Sequence, residues 1–239
     1  MNIVMVHGSN RRGNTDKTLQ LIKETLIRES NQDNIKVNFT DIHLPKDLPV
    51  FCKGCFVCIQ KGDYAGEKCP HKEYTHPILK SFLEADGIVF GSPSYALTMT
   101  GQLKSLFDHF AGTYTNHRPN EEMFDKIGFV VTTAAGAGTH RVVSSIKRNM
   151  LFWGIKRRLS FRIRMWVKDW KELKPKQRAK IEKNLDKKSV KFYKLCKNRQ
   201  KVRGSLQSFI LMKLWKKLIS GYDDDNPDKI YWKSKGWIN

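Results

Sequence analysis

The sequence of 239 residues contains no run of about 18 apolar residues, the length that a membrane-spanning helix needs. Its first ten residues, MNIVMVHGSN, also lack the charged region, apolar stretch and small-residue cleavage site of a secretory signal. They have the pattern of a buried strand instead. We therefore expect a cytoplasmic protein.

Cysteine is scarce, and its distribution is uneven. Of the 5 cysteines, four lie between Cys52 and Cys69, and Cys196 stands far from them. A secreted protein held together by disulfides would spread its cysteines through the fold. The cluster favours metal or redox chemistry.

Acidic residues become rare toward the C-terminus. Residues 1–150 carry 18 Lys and Arg against 15 Asp and Glu, whereas residues 151–239 carry 26 against 8. Such an asymmetry suggests two functional regions. We predict a domain over residues 1–155 and a basic, mainly helical extension over residues 156–239.

Short apolar runs alternate with amphipathic segments through the first region. The predicted strands are 2–7, 35–39, 87–91 and 127–132. Strands that alternate with helices indicate a parallel sheet covered on both faces. In the second region, residues 170–200 read as one or two exposed helices. Residues 205–220 read as an amphipathic helix, with Leu211, Leu214, Trp215 and Leu218 on one side and Lys213, Lys216 and Lys217 on the other.

A polar loop, Gly8 to Thr15, directly follows the first strand and opens a helix. Such a loop can direct backbone N–H groups and hydroxyls at a phosphate, helped by the N-terminus of the helix. It is neither G-x-G-x-x-G nor G-x-x-x-x-G-K-[ST], which disfavours a dinucleotide fold and an NTPase. A polar turn before a capped helix is the alternative interpretation.

Two more loops follow later strands. Ser92–Ala96 contains a proline that fixes the backbone, and Thr132–Gly138 is built of small residues that let a flat ligand approach the backbone. In a parallel sheet, ligands bind beyond the carboxyl ends of the strands. We therefore expect the three loops to converge on one ligand.

The segments GSNRRGNT, SPSYALTMTGQLKSLFDH and TTAAGAG, in this order, resemble the NAD(P)H-dependent FMN reductases and the related iron–sulfur flavoproteins. The resemblance covers about residues 1–155. It implies a flavodoxin-like five-stranded parallel sheet with helices on both faces. It also implies FMN, with its phosphate on the first loop and its ring between the other two. The expected cofactor-binding residues are Ser9, Arg11, Asn14, Thr15, Pro93, Ser94, Tyr95, Ala96, Leu97, Thr133, Ala134, Gly136 and Gly138.

The resemblance implies an FMN-dependent oxidoreductase that passes electrons from NAD(P)H to a quinone, a flavin, a nitro compound or a protein. No conventional catalytic residue is assigned, because the flavin itself carries the redox chemistry. Two alternatives remain, an electron carrier without enzymatic activity and a basic binding protein without flavin. A homo-oligomer, dimer or tetramer, is expected.

The spacing Cys52-x2-Cys55-x2-Cys58, with Cys69 further on, is typical of loops that hold iron–sulfur clusters. The four thiolates are candidate ligands of a 4Fe–4S cluster. Zinc, and reduced thiols that shape the rim of the flavin site or an interface, are the alternatives.

The basic C-terminal region has several interpretations. The first is a helical appendage that packs its Trp and Leu residues on the sheet domain or a second subunit. Contact with an anionic membrane and docking of an acidic redox partner stay open. Nucleic-acid binding is disfavoured, because basic charge with aromatic residues is necessary but far from sufficient.

Overall fold

The computed structural model describes residues 1–61 and 67–239. Its strands, named β1 to β5 in chain order, are Asn2–His7, Asn38–His43, Gly87–Pro93, Ile127–Ala134 and Arg157–Arg164. Its helices, named α1 to α8, are Asn14–Gln32, Val57–Gln60, Lys72–Glu84, Gly101–His109, Thr139–Phe152, Pro175–Lys197, Leu206–Ser220 and Pro227–Ser234. No helix among these residues is long and apolar enough to cross a bilayer.

The five strands form one parallel sheet in the order β2-β1-β3-β4-β5. This is the strand order of the flavodoxin-like fold, and it confirms the predicted fold class. The central strands β3 and β4 are buried almost throughout, as expected for strands covered on both faces.

Two apolar cores cover the two faces of the sheet. On one face, α3, α4 and α5 pack on the strands around Phe82, Leu103 and Trp153. On the other face, α1 and α6 pack around Leu19 and Phe192. Helices therefore cover both faces of the sheet, and its loops can form sites beyond the carboxyl ends and the amino ends of the strands.

The predicted second strand, residues 35–39, was placed too early, because β2 covers Asn38–His43. It is an edge strand, and four of its six residues are exposed. The apolar alternation that predicts strands is therefore weak where the strand really lies.

Helix α6 corrects the prediction of exposed helices over residues 170–200. Its stripe of Leu185, Ser189, Phe192 and Cys196 is buried against α1 and the sheet. A Cβ at Gly87 would lie 2.6 Å from Cys196 Sγ, which shows how closely the helix approaches the strand. The many lysines occupy the outward positions and mask this stripe in the composition.

The fifth strand lies at Arg157–Arg164, just beyond the predicted division at residue 155. That division stays a prediction. The rest of the C-terminal region is anchored by α8. Trp232 Nε1 donates to His117 O at 2.8 Å, and the buried Arg118 guanidinium is paired with Asp228.

The amphipathic helix predicted over residues 205–220 is present as α7, but its faces differ from the prediction. Met212, Trp215 and Ile219 pack inward, whereas Leu214 and Leu218 remain 47% and 44% exposed. Leucines and lysines thus share the outer face.

Candidate functional site

The carboxyl ends of β1, β3 and β4 lie side by side and bring the three predicted loops together. Gly8 N donates to Gly91 O at 2.8 Å, and Ser94 N donates to Thr133 O at 2.9 Å. A Cβ at Gly8 would lie 2.7 Å from Gly91 O, so that only glycine allows the first loop to leave β1 so close to β3.

A cavity of about 190 Å³ opens between these loops. Nine of the expected residues line it: Ser9, Arg11, Asn14, Thr15, Pro93, Ser94, Tyr95, Thr133 and Ala134. The residues come from three segments that are far apart in the sequence. The structure therefore brings together most of the site that the sequence predicts.

The other four expected residues do not line the cavity. Ala96 and Leu97 are exposed at the tip of the second loop with positive φ angles of 46° and 68°. Gly138 has φ 93°, and a Cβ there would lie 2.7 Å from Leu97 Cα. Gly138 thus lets the second and third loops touch. Gly136 lies in the third loop, where a Cβ would meet only Trp166, at 3.9 Å.

Hydroxyl groups tie the loops to one another. The Oγ1 atoms of Thr15 and Thr133 are hydrogen-bonded at 2.6 Å in a buried contact between the first loop and β4. Ser9 Oγ lies 3.3 Å from the Tyr95 hydroxyl, and Arg11 N donates to Ser9 Oγ at 3.3 Å. These bonds fix the shape of the cavity.

Asn14 has a structural contact that the sequence does not reveal. Its Nδ2 donates to Lys168 O at 3.0 Å, and its Oδ1 accepts from Trp170 N at 2.8 Å. The amide therefore holds the segment after β5 against the first loop. Asn14 lines the cavity while its side chain is already paired.

Three residues that were not among the expected site residues also line the cavity. They are Lys168 from the segment after β5, Ala135 from the third loop and Gly13 from the first loop. Trp166 is 73% exposed, and its N donates to Ala135 O at 2.8 Å. Recognition of β5 would have predicted this segment, since the end of a fifth parallel strand lies at the same edge.

The cavity is suited to an anion. Of the residues that the structure describes, Arg11 and Lys168 are the charged side chains at the cavity, and no carboxylate lines it. Helix α1 begins there behind Gly13, which offers no side-chain cap, so that the N-terminus of a 19-residue helix faces the cavity. The buried Ser94 Oγ has no hydrogen-bond partner among the described residues. These features fit a phosphate with an attached polar chain.

A network of hydrogen bonds and charge pairs surrounds His7, the last residue of β1, next to the cavity. His7 bonds Asp16 Oδ1 through Nδ1 and Asp41 Oδ1 through Nε2, each at 3.0 Å. Asp41 also pairs with Lys23 at 2.8 Å. The hydrogen bond from His7 and the pairing with Lys23 lower the pKa of Asp41 to about 2, against the opposing effect of burial. The network fixes the start of α1 to the edge of the sheet.

The segment that carries Cys52, Cys55, Cys58 and Cys69, which we call the cysteine loop, includes α2. The Arg118 side chain binds the backbone of α2. The guanidinium donates to Cys58 O and to Ile59 O, the latter at 2.9 Å. Burial raises the pKa of the Cys58 thiol, and the charges of Cys52, Cys69 and Cys55 raise it further. The other three thiols therefore lie within electrostatic range of Cys58. Within residues 1–61 and 67–239, however, no three His, Cys, Asp or Glu side chains are placed to hold one metal ion.

The amide groups of the loop already contact two of these sulfurs. Gly54 N donates to Cys52 Sγ and His71 N donates to Cys69 Sγ, each at 3.5 Å. Behind them, His71 Nδ1 and His109 Nε2 are 2.9 Å apart in a buried pair. Burial is the main cause that lowers the pKa of His109.

Comparison with known proteins places these features in a family. Residues 1–157 match the sequence profile described as NADPH-dependent FMN reductase. The chain is 31% identical over 157 residues to an iron-sulfur flavoprotein of Clostridioides difficile (strain 630), covering 63% of this chain and 62% of that protein. It is 35% identical over 109 residues to an iron-sulfur flavoprotein of Archaeoglobus fulgidus, covering 45% and 48%.

These alignments span about half to two thirds of the relatives' own length. In fold, the chain is similar to a solved FMN-dependent NADH-azoreductase from Bacillus anthracis in complex with FMN. The TM-score is 0.59 at 14% identity, covering 80% of this chain and 99% of that one. At such identity the likeness concerns the fold alone.

Proposed function

Because the chain belongs to the NADPH-dependent FMN reductase family, we propose that it binds FMN at the three-loop cavity and transfers electrons from NAD(P)H to an acceptor. The observation that carries the proposal is the cavity itself. Nine expected residues from three separate loops line it, Arg11 among them, and Lys168 adds a second cation, while no carboxylate of the described residues lines it. Bound FMN would supply the hydride and electron chemistry.

The residues of the first loop would hold the phosphate. Arg11 and Lys168 supply positive charge, Ser9 and Thr15 supply hydroxyls, and the start of α1 supplies unpaired N–H groups. Asn14 would act indirectly, because its amide positions Lys168. Pro93, Ser94, Tyr95 and the loop that begins at Thr133 would border the ring. The backbone N–H groups of the third loop, beyond Ala134, would stabilise negative charge on the ring, because those of Ser94 and Tyr95 already donate to Thr133 O and Thr98 O.

The cysteine loop would hold a 4Fe–4S cluster in the loaded protein. The spacing of Cys52, Cys55 and Cys58, the proximity of Cys69 and the names of the relatives support this part of the proposal. The thiols must still move to share one cluster, so we derive no electron-transfer step through it.

A cysteine loop in the same chain as a flavin site also favours a second candidate function. The protein would then relay electrons between other proteins and would accept none directly from NAD(P)H. In both cases we expect a homo-oligomer and a small-molecule or protein acceptor.

The test is the visible spectrum of anaerobically purified protein, followed by rapid mixing with NADPH or NADH. The enzyme proposal predicts bound flavin whose absorption bleaches on mixing. A flavin that is reduced only by dithionite would favour the carrier, and a protein that stays colourless after addition of FMN would contradict both. Iron and sulfide analysis, with Cys55→Ser as the comparison, tests the cluster separately.

A further inference from the structure

Two adjoining cavities lie near the amino ends of the strands, at the opposite end of the sheet from the three-loop cavity. The first, of about 580 Å³, lies under the N-terminal half of α7, and the second, of about 500 Å³, lies beside the start of β5. Leu151 and Ser205 line both cavities, so the two form one continuous cleft, which we call the α7 cleft.

One end of the α7 cleft is strongly basic. Lys147, Arg148, Arg157 and Arg158 line it, and in the described part of the chain no Asp or Glu lines the cleft. Within residues 1–61 and 67–239, none of these four cations forms an ion pair. Four cations without a counter-charge in one cavity create a positive potential that attracts anions.

Arg158 is the most deeply placed of the four. Among the described residues its guanidinium donates only to neutral acceptors, namely Ile155 O at 2.7 Å, Ser205 Oγ at 2.9 Å, Ser208 Oγ at 3.0 Å and Gln207 Oε1 at 3.2 Å. It therefore holds the first turn of α7 in place without losing its charge to a carboxylate. Burial and the neighbouring Arg157 lower its pKa, and burial and Arg158 lower the pKa of Lys147. An anion placed here would relieve this repulsion.

The other end of the α7 cleft is mainly apolar, although Lys156, paired with Asp125 at 2.6 Å, also lines it. Phe124, Leu151, Leu206, Phe209 and Met212 line it. Leu206 and Phe209 are 72% and 57% exposed, which is unusual for large apolar side chains. The volume of each cavity, about 580 Å³ and about 500 Å³, lies within the range of about 300–1,000 Å³ that is typical of small-molecule sites.

We propose that the α7 cleft binds an amphiphilic anion, a molecule with a phosphate or carboxylate head and a hydrocarbon tail. The head would lie on Lys147, Arg148 and Arg157, and the tail would lie against Leu151 and Phe209. A purely polar anion would leave the apolar end uncovered. A second copy of the chain, packed symmetrically on this cleft, would bring the same cations together, and their repulsion disfavours this occupant.

The first experiment is isothermal titration of the full chain with decyl phosphate below its micelle concentration. We expect saturable binding of one molecule per chain. Inorganic phosphate has the head without the tail, and decyltrimethylammonium has the tail with the opposite charge. Each should bind at least about tenfold more weakly, since each loses one of the two kinds of contact.

Two pairs of variants locate the site. Lys147→Gln/Arg157→Gln should weaken binding about tenfold or more, whereas Lys216→Gln/Lys217→Gln removes the same charge outside the cleft and should change it little. Phe209→Ser should weaken binding, whereas Ile210→Ser is its control. Ile210 is 56% exposed on the same helix but does not line the cleft. Arg158 is left unchanged, because it anchors α7.

Three results would overturn the proposal. Decyl phosphate would fail to bind, or both members of each pair would bind alike, or the protein would bind phosphatidylglycerol vesicles but not monomeric decyl phosphate. The last result would make this surface a membrane contact. The titration is repeated with and without added FMN, so that failure of the flavin proposal does not affect its outcome.

Discussion

The cavity beyond the carboxyl ends of the strands (the carboxyl edge) and the cleft near their amino ends (the amino edge) use charge in different ways. The carboxyl edge has two cations at its cavity, and most of its polar groups are hydroxyls and backbone amides on tight loops. The amino edge gathers four cations beside an apolar cleft under α7. The net charge of +21 therefore does not indicate where the cofactor would bind. Loop geometry locates that site, because backbone donors and a helix start need no net charge.

The attachment of the C-terminal region to the sheet domain is where we expect a substitution to change the free energy of unfolding most. Arg118→Met should destabilise the protein by about 3 kcal/mol, because it leaves Asp228 buried with only His117 as a partner. It also removes the donors to Cys58 O and Ile59 O. Urea unfolding measures the effect.

Lys233→Met is the control for this variant, since it removes a cation from an exposed pair with Asp224. It should cost at most about 0.5 kcal/mol. Equal losses for the two variants would mean that the buried pair does not anchor α8.

The contact between the second and third loops is the next test. Gly138→Ala should destabilise the protein by about 2 kcal/mol and weaken FMN binding, because φ is 93° and the new Cβ would lie 2.7 Å from Leu97 Cα. Gly101→Ala is the matched control, since a Cβ there meets nothing within 4 Å. Thermal unfolding and flavin titration of both variants measure the two effects. A Gly138→Ala protein that behaves like Gly101→Ala would show that the loops do not need this close approach.

The smallest expected effect concerns the charged network at the end of β1. Asp41→Asn should cost about 1 kcal/mol at neutral pH, after allowance for the partial exposure of the side chain. The folded pKa of Asp41, about 2, lies below the ordinary value of 3.8. The stabilisation is therefore complete above about pH 5 and is lost as the pH falls toward 2.

Urea midpoints of the wild type and Asp41→Asn across this pH range test the assignment. The difference between the two proteins should shrink on acidification. The exposed Asp223 supplies the control Asp223→Asn, which should show no such trend. A constant difference for Asp41→Asn would mean that the contact is not one of charge.

The sequence predicted the central sheet and most of the residues that line the carboxyl-edge cavity, because buried strands and small-residue loops leave local patterns. It missed β5, whose Arg157, Arg158, Arg162 and Arg164 conceal a strand inside a basic segment. Lys168 and Trp166 were missed for the same reason. The contact of Asn14 with Lys168 joins residues 154 positions apart, and no local pattern encodes such a contact.

The most direct test of the central claim is a fluorescence titration of FMN with apoprotein, comparing Arg11→Gln with Arg12→Gln. The two arginines are adjacent and exposed, but only Arg11 lines the three-loop cavity. We predict that the wild type binds one FMN per chain, that Arg11→Gln weakens binding about tenfold, and that Arg12→Gln changes it less than about twofold. Equal affinities for the two variants, or no binding by the wild type, would contradict the account.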